Sequence, residues 1–184
     1  MRTPAPAMSS AAYRGGALAL LIAIGAILTA LAFEHIGGFT PCPLCLQQRY
    51  AYYVGIPILF AALILYASGY LQTASIVFLL VSVAFVANAV LGTYHAGAEW
   101  KFWPGPETCA GTAPAASVRA SDLLKNLETT RVIRCDEAPW RMFGLSFAGW
   151  NVVISVLLWI TSLQAAYAAL SDARLAEAEN VQRI

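Results

Sequence analysis

The fold class this sequence predicts is an all-α membrane protein: a four-transmembrane-helix bundle with two extracytoplasmic loops, the second holding a short amphipathic helix. Three observations predict it. The 184-residue chain is 59% hydrophobic and only 11% charged, against about 25% charged in an ordinary soluble domain. The charges fall in blocks, so that none lies between Arg14 and Glu34, between Arg49 and Glu99, or between Arg141 and Asp172. All four cysteines (Cys42, Cys45, Cys109 and Cys135) lie in the two segments separating those stretches. The length suits one integral membrane domain over residues 1–184.

A helix rises about 1.5 Å per residue, so roughly 20 apolar residues cross a bilayer core of about 30 Å. The first charge-free stretch holds one span, near residues 16–33. The second holds two, near 50–68 and 73–93, with Gly69-Tyr70-Leu71-Gln72 as the tight turn. The third holds one, near 143–167. Soluble core helices are the alternative, and four of them in so short a chain argue against it. In lipid each span is helical, because its backbone must satisfy its own hydrogen bonds. The first span has a rival reading. Arg2 and Arg14 precede an apolar run ending Ala30-Leu31-Ala32, which resembles a signal-peptide cleavage site. The run is longer than a usual signal core, and cleavage would leave the later topology unchanged.

Four spans put both termini on one side and the loops 34–49 and 94–142 on the other. Paired cysteines require an oxidising compartment, which places both loops outside the cytoplasm. Charge points the other way. The tails carry Arg2, Arg14, Arg174 and Arg183, whereas the loops carry Arg49, Lys101, Arg119, Lys125, Arg131, Arg134 and Arg141. The cysteines outweigh that count, because the basic residues of the long second loop are matched by acidic ones and the rule weakens for long loops. Residues 101–116, rich in Pro, Gly and Thr, read as flexible. Ser121-Asp122 can cap a short helix carrying Leu123, Leu124 and Leu127, with Lys125 and Glu128 among its polar positions. That helix lies on the membrane with its leucines down, or packs on the loop itself. The tail 171–184 is polar, helical or frayed. A net charge of +1 with scattered basic residues excludes nucleic acid as a partner.

The chemistry centres on Cys42-Pro43-Leu44-Cys45. Two residues between thiols allow a disulfide that opens and closes readily, and such pairs often have depressed thiol pKa values. Zinc binding is a competing reading. Cys109 and Cys135 form no second C-x-x-C, however, and no histidine spacing completes a site. A purely structural bridge is another, though so small a ring adds little stability. Pro41 and Pro43 stiffen the approach. The second span begins just after Cys45, where a helix N-terminus favours a thiolate. Arg49 lies one turn after Cys45 and on the same face. It can stabilise that thiolate or charge developing on a bound acceptor, or serve as an interfacial anchor. His95 ends the third span and can move a proton at the membrane surface, or be an ordinary interfacial residue; His35 is a weaker candidate. Trp100, Trp103, Trp140 and Phe143 fit an interfacial belt better than a flat ligand's site. A Cys109–Cys135 bond would close a loop of about 27 residues, for which chain entropy predicts roughly 3–4 kcal/mol. That favours a structural bridge; its exposed loop favours a labile one. Four cysteines allow three pairings.

Taken together, these residues resemble the bacterial disulfide bond formation protein B family, DsbB. The resemblance covers the four-span core and both loops. It rests on Phe33-Glu34-His35, Pro41-Cys42-Pro43-Leu44-Cys45, Arg49 four residues on, Tyr94-His95, the Cys109 and Cys135 pair, and Cys135-Asp136-Glu137 followed by Trp140. It implies a quinone-dependent thiol:disulfide oxidoreductase of the bacterial inner membrane, with both termini cytoplasmic and the cysteine loops periplasmic. The resting disulfides it implies are Cys42–Cys45 and Cys109–Cys135. A reduced DsbA-like, thioredoxin-like partner attacks the second through Cys109, and Cys135 then exchanges with Cys42. Cys45 donates to ubiquinone or menaquinone, held non-covalently or as a transient adduct at Cys45. Arg49 matches the family's quinone-site arginine and His95 its membrane-surface histidine. Lipid and quinone are further partners, and no metal is implied. That a DsbA–DsbB–quinone relay keeps the periplasm oxidising is the family's established role, not a reading of these residues.

Gln47 and Gln48 depart from the aromatic or acidic character that the resemblance leads one to expect before Arg49. Residues 1–13 match nothing interpretable. The rivals are a quinone-linked reductase of the vitamin K epoxide reductase type, which has a different topology, and a non-enzymatic membrane scaffold braced by two disulfides. A metal carrier lacks ligands. Resistance to mild reduction would mark the scaffold; exchange with a partner would mark the oxidase.

Overall fold

The computed structural model describes residues 11–105 and 138–182. Cys109, Cys135 and the short helix expected around Leu123, Leu124 and Leu127 lie outside the described residues. So do the first ten residues, with Arg2 among them.

Four long helices form the predicted bundle: α1 (Ala11–His35), α2 (Pro43–Ala67), α3 (Leu71–Glu99) and α4 (Phe147–Gln182). All four are long and apolar enough to cross a membrane. Each packs on its sequence neighbours, and α4 closes the ring onto α1, while α2 and α4 meet at few points across the middle. Small residues set these approaches, as expected where lipid gives no hydrophobic push between helices. The buried face of α1 is Ala12, Gly16, Ala19, Ala23 and Ile27. That of α4 includes Ala148, Gly149, Ser155, Leu158, Ser162, Ala165 and Ala169. Leu18, Leu21, Leu28, Leu80 and Val83 point outward, where lipid receives them. At the end near the α2–α3 turn, Tyr66 donates to the Asp172 carboxylate at 2.7 Å, tying α2 to α4.

The helices outrun the charge-free stretches. Pro43 opens α2 because its missing N–H costs nothing in a first turn, so Cys45, Gln48 and Arg49 are helical rather than in a loop. Continuation of α3 through Glu99 makes His95 a bundle residue. α4 starts later than the apolar stretch. Before it, β1 (Arg141–Met142) and β2 (Leu145–Ser146) pair antiparallel, Arg141 opposite Ser146. Phe143 and Gly144, at φ 52° and 81°, form the two-residue turn. The polar tail, expected to be helical or frayed, is helical through Gln182.

Gly16 is where α1 seats against α2 and α3. A Cβ there would stand 2.7 Å from the Phe78 ring and 2.9 Å from Leu63 Cδ2. Gly16→Leu should overpack this contact by about 1–3 kcal/mol. The expected outcome is a lower thermal unfolding midpoint in detergent; an unchanged midpoint would mean that α1 does not dock through this face.

Candidate functional site

The C-x-x-C motif forms the first turn of α2. Cys42 is the N-cap, in extended conformation (φ −76°, ψ 162°), and its Sγ accepts from the Cys45 backbone N–H at 3.1 Å. The sequence placed the advantage of the helix N-terminus at Cys45. The fold gives it to Cys42, because an N-cap side chain can turn back onto the unpaired first-turn amides, one of which is that of Cys45. Both residues carry free thiols here, Cys42 buried and Cys45 partly so.

His95 comes from α3 to meet them, 2% exposed, with its Nε2 3.6 Å from Cys42 Sγ. Ligand atoms of Cys42, Cys45 and His95 lie within 4.8 Å of one another. The histidine that spacing along the chain could not supply is thus brought in by tertiary packing. The trio has three metal-capable donors, one fewer than a closed structural zinc site. The Cys42 thiol is drawn down from its ordinary 9.0 to about 5. The hydrogen bond from the Cys45 side chain lowers it most, burial opposes, and the hydrogen bond with His95 lowers it further.

Around this centre lies a polar layer in an otherwise apolar bundle. Gln48 bonds to His95 Nδ1 at 2.9 Å, Asn151 Nδ2 donates to Gln48 Oε1 at 2.6 Å, and Tyr52 donates to Asn151 Oδ1 at 2.7 Å. Asn88 Nδ2 donates to Ser155 at 2.9 Å. Glu99, one turn beyond His95, has a carboxylate oxygen 3.8 Å from His95 Nε2 and accepts from the Ser146 hydroxyl. Arg49, expected to face a thiolate or a ligand or to anchor the span at the interface, forms an ion pair with Glu34 of α1.

Cys42, Cys45, Gln48, Arg49, His95 and Glu99 all border one cavity of about 830 Å³ among α1, α2, α4 and the end of α3. Its far wall is aromatic. Phe33, Trp140 and Phe147 pack mutually with ring centroids 4.9–5.1 Å apart, and Phe39 stands edge-on to two of them. Trp140 therefore lines the cavity. By contrast Trp100, Trp103 and Phe143 stay exposed, as belt residues do. Along α1 the cavity reaches Gly25 and Thr29, both on the outer surface of the bundle. His35 is exposed at the end of α1 and does not line it.

Sequence reasoning missed Glu34, Gln48, Glu99 and Asn151 as site residues. Glu99 was legible as the i+4 neighbour of His95. Asn151 was legible as an amide inside an apolar span, where polar groups seldom lie idle. Glu34 reaches Arg49 only because α1 packs on α2.

A family model described as disulfide bond formation protein DsbB matches residues 14–165. A disulfide bond formation protein B of Marinobacter nauticus is 27% identical over 79% of this chain and 86% of its own length. One from Aromatoleum aromaticum is 27% identical over 85% of this chain and 95% of its own. The uncharacterized protein RP370 of Rickettsia prowazekii is 25% identical over 77% and 80%. No solved structure matches the chain. With its four-helix bundle, its helix-capping dithiol and a family match across most of its length, the chain belongs to the DsbB family, multi-pass membrane disulfide oxidoreductases.

Proposed function

We propose that this protein reoxidises a DsbA-like, thioredoxin-like periplasmic dithiol and passes the electrons to a membrane quinone, ubiquinone or menaquinone. It would sit in the bacterial inner membrane with both termini cytoplasmic and the cysteine loops periplasmic. The observation that carries this reading is the cavity. The Cys42–Cys45 pair borders an 830 Å³ space with aromatic walls, the Arg49 guanidinium, and an edge at the lipid-facing side of α1. Flat lipophilic molecules bind in mostly apolar pockets with a few convergent polar groups, and this donor set suits a quinone. Arg49, steadied by Glu34, would hold a quinone oxygen, with the aromatic wall against the ring. A bound quinone supplies a two-electron, two-proton acceptor.

The chain's own cysteines carry the relay. A partner thiolate attacks the Cys109–Cys135 disulfide at Cys109, releasing the Cys135 thiolate. The partner's second thiol then displaces Cys109 and leaves the partner oxidised. Cys135 attacks a Cys42–Cys45 disulfide at Cys42, and Cys109 closes the loop-two bond again. The two electrons now reside on Cys42 and Cys45 as free thiols. When the pair closes, two electrons and two protons leave it, with Cys45 as the donor. Glu99, which accepts from Ser146 and stands 3.8 Å from His95 Nε2, would take up a proton beside the pair.

The test is quinone reduction by the detergent-purified protein, given a reduced periplasmic thioredoxin-like dithiol. Quinone-dependent dithiol oxidation is expected. Absence of turnover with both ubiquinone and menaquinone analogues would overturn the proposal and favour a braced scaffold. Arg49→His should raise KM for quinone by about tenfold, the loss of one charge-assisted hydrogen bond, and leave KM for the dithiol unchanged. Unaltered quinone kinetics would remove Arg49 from the site.

A further inference from the structure

The polar layer behind His95 has a direction. Two donors converge on Asn151 Oδ1: the Tyr52 hydroxyl at 2.7 Å and Asn88 Nδ2 at 3.4 Å. With its oxygen committed, Asn151 presents its NH₂ to Gln48 Oε1 at 2.6 Å. Gln48 in turn presents its NH₂ to His95 Nδ1 at 2.9 Å. A neutral imidazole whose Nδ1 accepts must carry its proton on Nε2. That nitrogen is the one 3.6 Å from Cys42 Sγ.

We infer that Gln48 and Asn151 are positioning residues that lock His95 in its Nε2–H form, so that it donates to sulfur at Cys42. Each amide has one end that accepts and one that donates, so the orientation of Asn151 carries through Gln48 to His95. Gln48 is 4% exposed and at home only in such a chain. The packing that sets the chain is also specific. At Gly92, one turn before His95, a Cβ would stand 2.9 Å from Val152 and 3.2 Å from Asn151 Nδ2. The bare glycine lets α4 bring Asn151 against α3 and α2. Among the described residues, the charged and titratable groups facing His95 and Cys42 include Glu99 of α3, 3.8 Å from Nε2, and Cys45 of α2; Arg141 of β1 lies near Glu99. Glu99 competes for the same proton, which gives a lock on the opposite nitrogen a purpose: the Nε2 proton remains available to sulfur. The inference gives the proposed oxidase its thiol chemistry, yet its test uses neither partner nor quinone, so the two can fail separately.

The experiment is a pH titration of Cys42 alkylation in the full-length protein, with Cys45, Cys109 and Cys135 changed to Ser. Gln48→Met keeps length and removes both polar ends. It should raise the midpoint by about half to one pH unit, part of the worth of a hydrogen bond to a charged group. Asn151→Leu should move it the same way by less. In a His95→Phe background neither substitution should move the midpoint further, because both act through the imidazole. A Gln48→Met midpoint equal to the parent's, or a shift that persists without His95, overturns the inference. Should Gln48→Met not fold, the Asn151→Leu pair decides it by the same rule.

Discussion

Replacing Cys45 by serine should stop the enzyme after a single round. On the proposed relay a Cys109–Cys135 disulfide can still accept one pair of electrons from the partner, so a burst of at most one oxidised partner per chain is expected. Steady turnover should then fall by about a thousandfold or more, since a serine hydroxyl neither forms a disulfide with Cys42 nor ionises near neutral pH. The burst separates this outcome from simple misfolding, because an unfolded protein would show neither phase. The measurement is rapid-mixing of the purified variant with reduced dithiol, followed by quantitation of oxidised partner and reduced quinone. Continued turnover would mean that electrons leave by a route avoiding Cys45, and the proposed relay would be wrong.

The second large effect is a pH profile. Cys42 is drawn from 9.0 to about 5 by the Cys45 hydrogen bond first and by His95 after it. A thiol lowered in this way is ionised above its midpoint and protonated below it. At pH 6 a thiol titrating near 5 is about 90% thiolate, and one titrating near 9 is about 0.1%. A thiolate of low pKa is intrinsically less nucleophilic, which takes back most of that ratio and leaves roughly a tenfold advantage. Alkylation of reduced Cys42 should therefore rise through pH 5, stay flat from about 6 to 8, and exceed an ordinary thiol about tenfold at pH 6. Mass-spectrometric labelling rates across that range provide the check. A rate still climbing toward pH 9 would show that neither Cys45 nor His95 stabilises the thiolate.

Much of this was legible along the chain because its causes are local. Charge-free stretches and the length of a bilayer-crossing helix are read residue by residue, and the four observed helices follow from them. So does a dithiol near the start of the second span, although the helix opens at Pro43 rather than after Cys45. Helix ends were less legible. A charge stops an apolar count but does not stop a helix, so Arg49, His95 and Glu99 were placed in loops or at their edges although all three lie within helices.

The sequence by itself determined a four-span bundle with a C-x-x-C pair at one end and Arg49 one turn behind it. Tertiary structure decided what that pair faces. The rotation of α3 brings His95 onto Cys42, and Gly92 admits α4 closely enough for Asn151 to reach Gln48. The packing of α1 puts Glu34 beside Arg49 and shapes the cavity. Each of these pairings joins residues far apart in the chain, through amide, imidazole and carboxylate groups that outward-facing positions could also have carried. Hydropathy tells which segments cross the membrane. Which faces of those segments meet is set by small residues, by helix rotation and by the need to pair every polar group that lipid cannot solvate.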